Sequence, residues 1–309
     1  MSKVLITGIG GDIAQGIAAI VRQSMPGTRI HGTDIHDEHG GRLFCDDFTT
    51  VPRATDPDWF DTIETIGAGW GAAIIIPTTE AELDALCGVP ECPDLRRWMM
   101  VNPAALRICL DKLETARALG ALGLDVPWTV DAQTDSPRAF PCILKPRRSS
   151  GSKGVAVVSG PEEARLLATR APASVFQELL LPADREVTCA VYREGPGRTW
   201  VAQLRRRLVG GFTGWAEVID DAAVATACNR IAEGLQIVGC INVQLRLTDQ
   251  GPRVFEINPR VSSTALMRHL LGFQDVTWNL WRMLGLERSP QPIEPGQRAV
   301  RVQGASRLA

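Results

Sequence analysis

Apolar runs and polar breaks divide the chain into segments of strand and helix period. "KVLI" (Lys3 to Ile6) is a continuous apolar run that stops at glycines, and the following "IAQGIAAIVRQ" repeats its apolar residues at helical spacing. This pattern predicts a buried parallel strand, a tight turn and a helix. "TRIHGTDI" reads as a second strand ending at Asp34, and "AAIIIPTT" as a later one. Residues 1–102 are therefore expected to form a small doubly wound α/β domain, closed where Asn102 meets Pro103. Beyond it, "KLETARALGAL" follows Asp111 and stops at Gly123, with Pro127 after, as a capped helix does. "FPCILKPRRSSGSKGVAVV" is two apolar strands around a tip of serine, glycine and basic residues. "SVFQELLLPADREVTCAVY" is a strand, a break at Pro182, and a strand beginning near Glu186.

The last strong pattern is "GCINVQLRLTDQGPRVFEINPR", a hairpin with its turn near Asp249 to Gly251. A register centred on Gln250 sets Gln244 opposite Glu256 and Asn242 opposite Asn258. Ile241, Val243, Leu245 and Leu247 would then face the core with Phe255 and Ile257, while Glu256, Asn258 and Arg260 share the other side. Gln244, Glu256 and Asn258 would offer several oxygen acceptors to one spot, which suits a hard cation such as Mg²⁺. Pro259 ends the ladder, and Ser262, Ser263 and Thr264 suit a helix N-cap whose free N–H groups can receive an anion.

Composition narrows the class. At 309 residues, 45% hydrophobic and 22% charged, the chain is long enough for about two globular domains. A net charge of −2 provides no basic field for nucleic acid or an anionic membrane. The one dense basic cluster, "LRRRL" at 204–208, reads first as a solvated strand face and second as a phosphate or acidic-substrate contact. No apolar stretch is long enough to span a bilayer, no signal peptide is visible, and the eight cysteines contain no Cys-x-x-Cys. A reduced cytoplasmic location is expected. His31, His36 and His39 crowd beside Asp34, Asp37 and Glu38, and read as a loop at a strand end rather than a metal site.

The first glycine turn raises a dinucleotide option, with Asp34 placed for a ribose. Gly8 and Gly10 fit G-x-G-x-x-G, but Ile13 replaces the third glycine, and Tyr192 has Pro196 rather than lysine four residues on. An NAD(P)-dependent oxidoreductase is therefore the weakest alternative. The tip at 147–154 is a second phosphate candidate: Gly151 and Gly154 let backbone N–H groups approach an anion, and Lys145, Arg147, Arg148 and Lys153 surround it. A solvated hairpin tip is the competing reading.

Taken in order, Lys112, "FPCILKP…SSGSKG", "FQEL…E", "NVQ" and "FEINPRVSS" resemble the ATP-grasp superfamily, and in particular a single synthetase half of the carbamoyl-phosphate synthetase large subunit. The resemblance spans about residues 103 to 285, and the glycine-turn domain is similar to the Rossmann-like pre-ATP-grasp domain that precedes it in such proteins. The implied fold is α/β: residues 1–102 pre-ATP-grasp, 103–176 a lid subdomain with its linking helix, and 177–309 a catalytic subdomain, the last two clamping ATP. The resemblance places Lys112 and Lys145 on the phosphates, Gly151 and Ser152 in the lid, and Glu178, Leu180 and Glu186 around ribose and adenine. It places Gln244, Glu256 and Asn258 on Mg²⁺, for which Mn²⁺ can stand in, and gives Arg260 and Lys145 to catalysis. It implies an ADP-forming carboxylate-amine ligase that works through an acyl-phosphate on small molecules, with a homodimer as the assembly considered. A regulatory nucleotide-binding protein on the same fold is the main alternative. Lysine at 145 where the relative has arginine, and a lone grasp unit, speak against carbamoyl phosphate synthesis itself. Specificity is expected from "GGFTGWAE" (210–217), with Trp215, Trp278 and Trp281 as candidate lining or core.

Overall fold

The computed structural model describes residues 2–89, 97–149, 154–302 and 304–306. The first unit runs β1 (Lys3–Ile6), α1 (Asp12–Ser24), β2 (Arg29–Asp34), β3 (Asp47–Thr50), α2 (Trp59–Trp70), β4 (Ile74–Ile76) and α3 (Glu80–Gly88). Its four strands are all parallel, in the order β3-β2-β1-β4. Val4, Leu5, Ile6 and Ile74 to Ile76 have no exposed surface, as continuous apolar strands covered on both faces require.

The glycine turn after β1 is closed by the chain itself, which removes the dinucleotide option. Asp34 accepts a hydrogen bond from Gly10 N at 2.7 Å through one oxygen and from Ile35 N at 2.7 Å through the other. A Cβ at Gly10 would lie 2.6 Å from the His39 ring, and one at Gly41 would lie 2.4 Å from Ile9 O. Segment 39–41 thus fills the space a pyrophosphate would take, and Asp34 holds backbone instead of a ribose. His31 lies inside β2 and pairs with Thr49, and His39 caps the following turn through Gly41 N, so only His36 of the three stands in the open strand-end loop.

Two helices lead away from this unit: α4 (Pro103–Leu110), capped by Asn102 on Ala105 N, and α5 (Lys112–Ala121). Next come β5 (Thr129–Asp131), β6 (Cys142–Pro146), β7 (Ala156–Val158), α6 (Pro161–Arg170) and β8 (Ser174–Glu178), with the antiparallel sheet β5-β8-β6-β7. The expected boundary at 176/177 falls inside β8; the chain leaves this sheet after Glu178 and enters the next at Glu186.

The large sheet comprises β9 (Glu186–Gly195), β10 (Arg198–Val209), β11 (Phe212–Ile219), β12 (Gly239–Thr248), β13 (Gly251–Asn258) and the edge strand β14 (Arg298–Val300). α7 (Ala222–Gly234), α8 (Ala265–Leu270) and α9 (Asp275–Met283) accompany it. The order is β13-β12-β9-β10-β11-β14, antiparallel throughout. One face packs Val187, Cys189, Val191, Val243 and Leu245 into a core shared with α4 and α7. Trp278 is core and Trp281 packs on it, whereas Trp215 lies between Arg205 and Arg207. Ser262 and Thr264 do not cap α8: their hydroxyls bond each other and the buried Arg268, which forms a fully enclosed pair with Asp275. Among the described residues, no helix is long and apolar enough to cross a membrane.

Asp111 fixes where α5 begins. Its carboxylate accepts from Leu113 N and Glu114 N and receives the Arg147 guanidinium at 2.7 Å. Burial pushes this carboxyl up, but the Arg147 bonds and the helix N–H groups outweigh it and hold it below the usual carboxylate range. Asp111→Ala should lower stability by about 2 kcal/mol, from the lost cap and a half-freed Arg147. A thermal melt checks this, and an unchanged midpoint would refute the assignment.

Candidate active site

The face of the large sheet opposite the core carries polar groups in rows across the strands. Arg246 on β12 is registered with Glu186 on β9, and Gln244 pairs across to Glu256 on β13. Asn242 stands opposite Asn258, as the sequence register predicts. The inner half differs. The turn is two residues, with Thr248 opposite Gly251, and the ladder then slips between Gln244 and Leu245, leaving Phe255 unpaired. This β-bulge lets Val254 and Ile257 both reach the core and turns Phe255 to the polar side, correcting the core placement expected for it.

A cleft forms between this face and the small sheet, lined by Lys112, Lys145, Glu178, Leu180, Glu186, Gln244 and Glu256. Seven of the expected site residues are thereby brought together from α5, β6, β8, the crossover and three strands of the large sheet. Gly151 and Ser152 lie outside the described residues. Sequence reasoning missed Arg246 and Phe255, and read Arg206 first as part of a solvated face and only second as a phosphate or acidic-substrate contact; it lines the cleft. Period-two alternation held the signal for Arg206: Arg205 pairs with Glu217 and Arg207 lies over Trp215, so the middle arginine points the other way.

Lys145 is 5% exposed, its Nζ donating to Phe255 O at 3.2 Å and lying over the Phe255 ring. Burial, only partly opposed by Glu256 and reinforced by Lys112, brings its pKa from 10.5 to about 8. Lys112, also buried, donates to Ser149 O at 2.9 Å, and its backbone N–H donates to Arg147 O. These two ammonium groups and Glu256 form the deep end of the cleft.

At the other end the carboxylates are held by arginines. Glu178 receives Arg253 at 2.7 and 3.0 Å and Trp128 N at 3.1 Å. Glu186 lies between Arg206 and Arg246, and Arg246 also donates to Leu180 O at 2.7 Å. The Leu180 carbonyl is thus engaged within the chain.

A second cavity adjoins the first and shares Lys112, Ser149 and Glu256 with it. Asn258, Glu80, Asp84 and Arg148 complete its polar lining. Arg260 lines neither cavity. It is 12% exposed at its side chain, pairs with Glu80, and donates to Val261 O at 3.0 Å. The structure therefore places Arg260 behind the wall of the second cavity, linked to it through Glu80. Arg148 pairs in turn with Asp84 of α3, so the base of the β6–β7 hairpin is tied to the first unit.

A three-sheet arrangement with its cleft between the second and third sheets has clear counterparts. The model of a family described as "ATP-grasp in the biosynthetic pathway with Ter operon" matches residues 171–306. Residues 171–306 thus match an ATP-grasp domain. Around that domain, 96% of this chain superposes on 80% of N5-carboxyaminoimidazole synthetase from Staphylococcus aureus complexed with ADP, with TM-score 0.77 and 16% identity. An L-amino acid ligase from Bacillus licheniformis gives TM-score 0.72 at 16% identity, covering 98% of this chain and 81% of that one. In sequence, a formate-dependent phosphoribosylglycinamide formyltransferase of Ignicoccus hospitalis is 26% identical over 227 residues, 63% of this chain and 55% of that protein. The chain thus spans about half the length of the curated relatives it matches. The ATP-grasp architecture covers the first unit as well, so the mixed α/β fold with a Rossmann-like unit ahead of the grasp is as the sequence predicts.

Proposed function

We propose that this chain is an ADP-forming carboxylate-amine ligase acting on small molecules through an acyl-phosphate. The observation that carries the reading is the joining of the two cavities at Lys112 and Glu256. A polyanion in the first would bring its terminal group to the edge of a second space large enough for another reactant. The kinship of fold with ligases supports the same reading. We take the three-part division as its frame, with the second break set between Glu178 and Glu186, and a cytoplasmic setting is consistent with the buried thiols of Cys109, Cys142, Cys189, Cys228 and Cys240.

In this reading ATP lies along the cleft with its base near Leu180 and its ribose near Glu178 and Glu186. Lys112 and Lys145 bind phosphate oxygens, where low local dielectric makes each charge more effective than in water. Gln244, Glu256 and Asn258 are oxygen donors of the kind a hard divalent cation takes, and they would hold Mg²⁺. That ion would neutralise phosphate charge as the terminal phosphoryl group is transferred. A substrate carboxylate oxygen attacks the γ-phosphorus, the bond to the β–γ bridging oxygen breaks, and ADP leaves. An amine nitrogen then attacks the acyl carbon, phosphate departs, and the amine loses a proton. Arg260 acts through Glu80, setting the wall against which the acid or amine rests. The β6–β7 hairpin, anchored by Arg148 on Asp84, shields the acyl-phosphate from water.

The test is ADP and phosphate release against pools of carboxylates and amines. Release that requires both a carboxylate and an amine is expected. AMP and pyrophosphate as products, or ADP release indifferent to either pool, would overturn the proposal.

A further inference from the structure

We propose that Arg206 takes the place of a second divalent cation in the nucleotide cleft: held between Glu186 and Gln244, its guanidinium contacts the triphosphate and limits the site to one divalent ion. The inference rests on the ATP-binding reading above and concerns how the charge of that nucleotide is met.

Arg206 is 12% exposed at its side chain and lines the cleft, while also bordering the open groove beside Arg205, Arg207 and Trp215. It bonds Glu186, and its Nη2 also donates to Gln244 Oε1 at 3.2 Å. One face of that amide oxygen, across the hairpin from Glu256, is thus occupied by a positive charge of the chain itself. Glu256 is the one carboxylate among the three proposed metal donors. Two divalent ions about 4 Å apart need bridging anions to offset their repulsion, and a fixed guanidinium beside Gln244 raises that repulsion further.

The charge balance of the cleft points the same way. Glu178 and Arg253 cancel as a pair. What remains is Lys112, Lys145, Arg206 and Arg246 against Glu186 and Glu256, an excess of two positive charges. ATP with one Mg²⁺ carries about two negative charges and would leave the closed cleft neutral, whereas a second ion would leave an uncompensated excess in a partly desolvated site. Arginine suits the role because its planar fork can hold Glu186 or Gln244 with one edge and a phosphate with the other.

The experiment uses the full chain with Mn²⁺ and an ATP analogue that has a non-hydrolysable β–γ linkage. Nucleotide affinity is read by calorimetry and bound Mn²⁺ by electron paramagnetic resonance. The wild type should bind the analogue with one Mn²⁺ per chain. Arg206→Gln should weaken nucleotide binding about tenfold or more, take up a second Mn²⁺ at higher free metal, and regain part of its affinity as it does so. Arg206→Lys, which keeps the charge and loses the fork, should fall between the two. Equal melting temperatures show that the variants are folded, and a variant that does not fold leaves the wild-type metal count to decide. Two Mn²⁺ per wild-type chain, or unchanged affinity in folded Arg206→Gln, would overturn the inference while leaving the ligase reading intact. Absence of nucleotide binding by the wild type would overturn both.

Discussion

Glu256→Gln should lower turnover by about 10²- to 10³-fold while the protein stays folded. The substitution preserves size, and the β12–β13 pairing that positions residue 256 is made by backbone groups it does not touch. Two losses combine. The proposed cation loses its only anionic protein ligand, keeping the two amide oxygens of Gln244 and Asn258. The charge of Glu256 also helps keep buried Lys145 protonated, so its removal moves that ammonium further toward the neutral form. ADP release under saturating Mg²⁺ and ATP is the measurement, with a thermal melt as the control. A folded variant within about threefold of the native rate would remove Glu256 from the reaction centre, since loss of a transition-state charge contact normally costs far more.

Lys145→Met should have opposite effects on stability and on nucleotide binding. In the folded protein Lys145 titrates at about 8, against 10.5 when unperturbed. The unfolded chain therefore binds more protons between these values, and this group's contribution to stability rises with pH across that window. Below about pH 8 the buried ammonium is a standing destabilisation of about 3 kcal/mol, from roughly 1.4 kcal/mol per unit. Methionine fits a similar volume without the charge, so the melting temperature at pH 7 should rise by several degrees. ATP affinity should fall about a hundredfold, since a buried cation facing phosphate is lost. The wild type should also lose ATP affinity as pH rises through about 8, a dependence missing in the variant. A lower melting temperature at pH 7 in Lys145→Met, or unchanged ATP affinity, would show that the ammonium is not held there for a ligand.

The legible parts of the site were those set by local period. The strand pairs Gln244–Glu256 and Asn242–Asn258 followed from side-chain alternation and the position of the turn. So did the β6–β7 hairpin and the start of β9 at Glu186, because proline and glycine punctuate the chain at those points. Contacts between groups far apart in sequence were not legible. Arg260 pairs with Glu80, Glu178 with Arg253, and Arg148 with Asp84, and no periodicity relates such residues. Asp34 shows the reverse case: its spacing from the glycine turn suggested a ribose-binding acid, an option the missing third glycine already weakened, and tertiary packing puts Gly10 N and segment 39–41 where a ligand would lie. Arg206 was within reach, since the alternation that turned Arg205 and Arg207 outward required the residue between them to point in.

The extra residue at Phe255 makes the reaction centre depend on parity. Side chains on a strand alternate like odd and even numbers, and the bulge is the one place on β13 where the count is reset. In an unbroken ladder closed by this two-residue turn, Glu256 would stand opposite buried Val243 and enter the oily interior; the bulge resets the count, so that Glu256 meets Gln244 in the cleft and Ile257 turns inward. The carboxylate owes its side of the sheet to one supernumerary residue, and deleting Phe255 would straighten the strand while leaving Glu256 opposite Gln244.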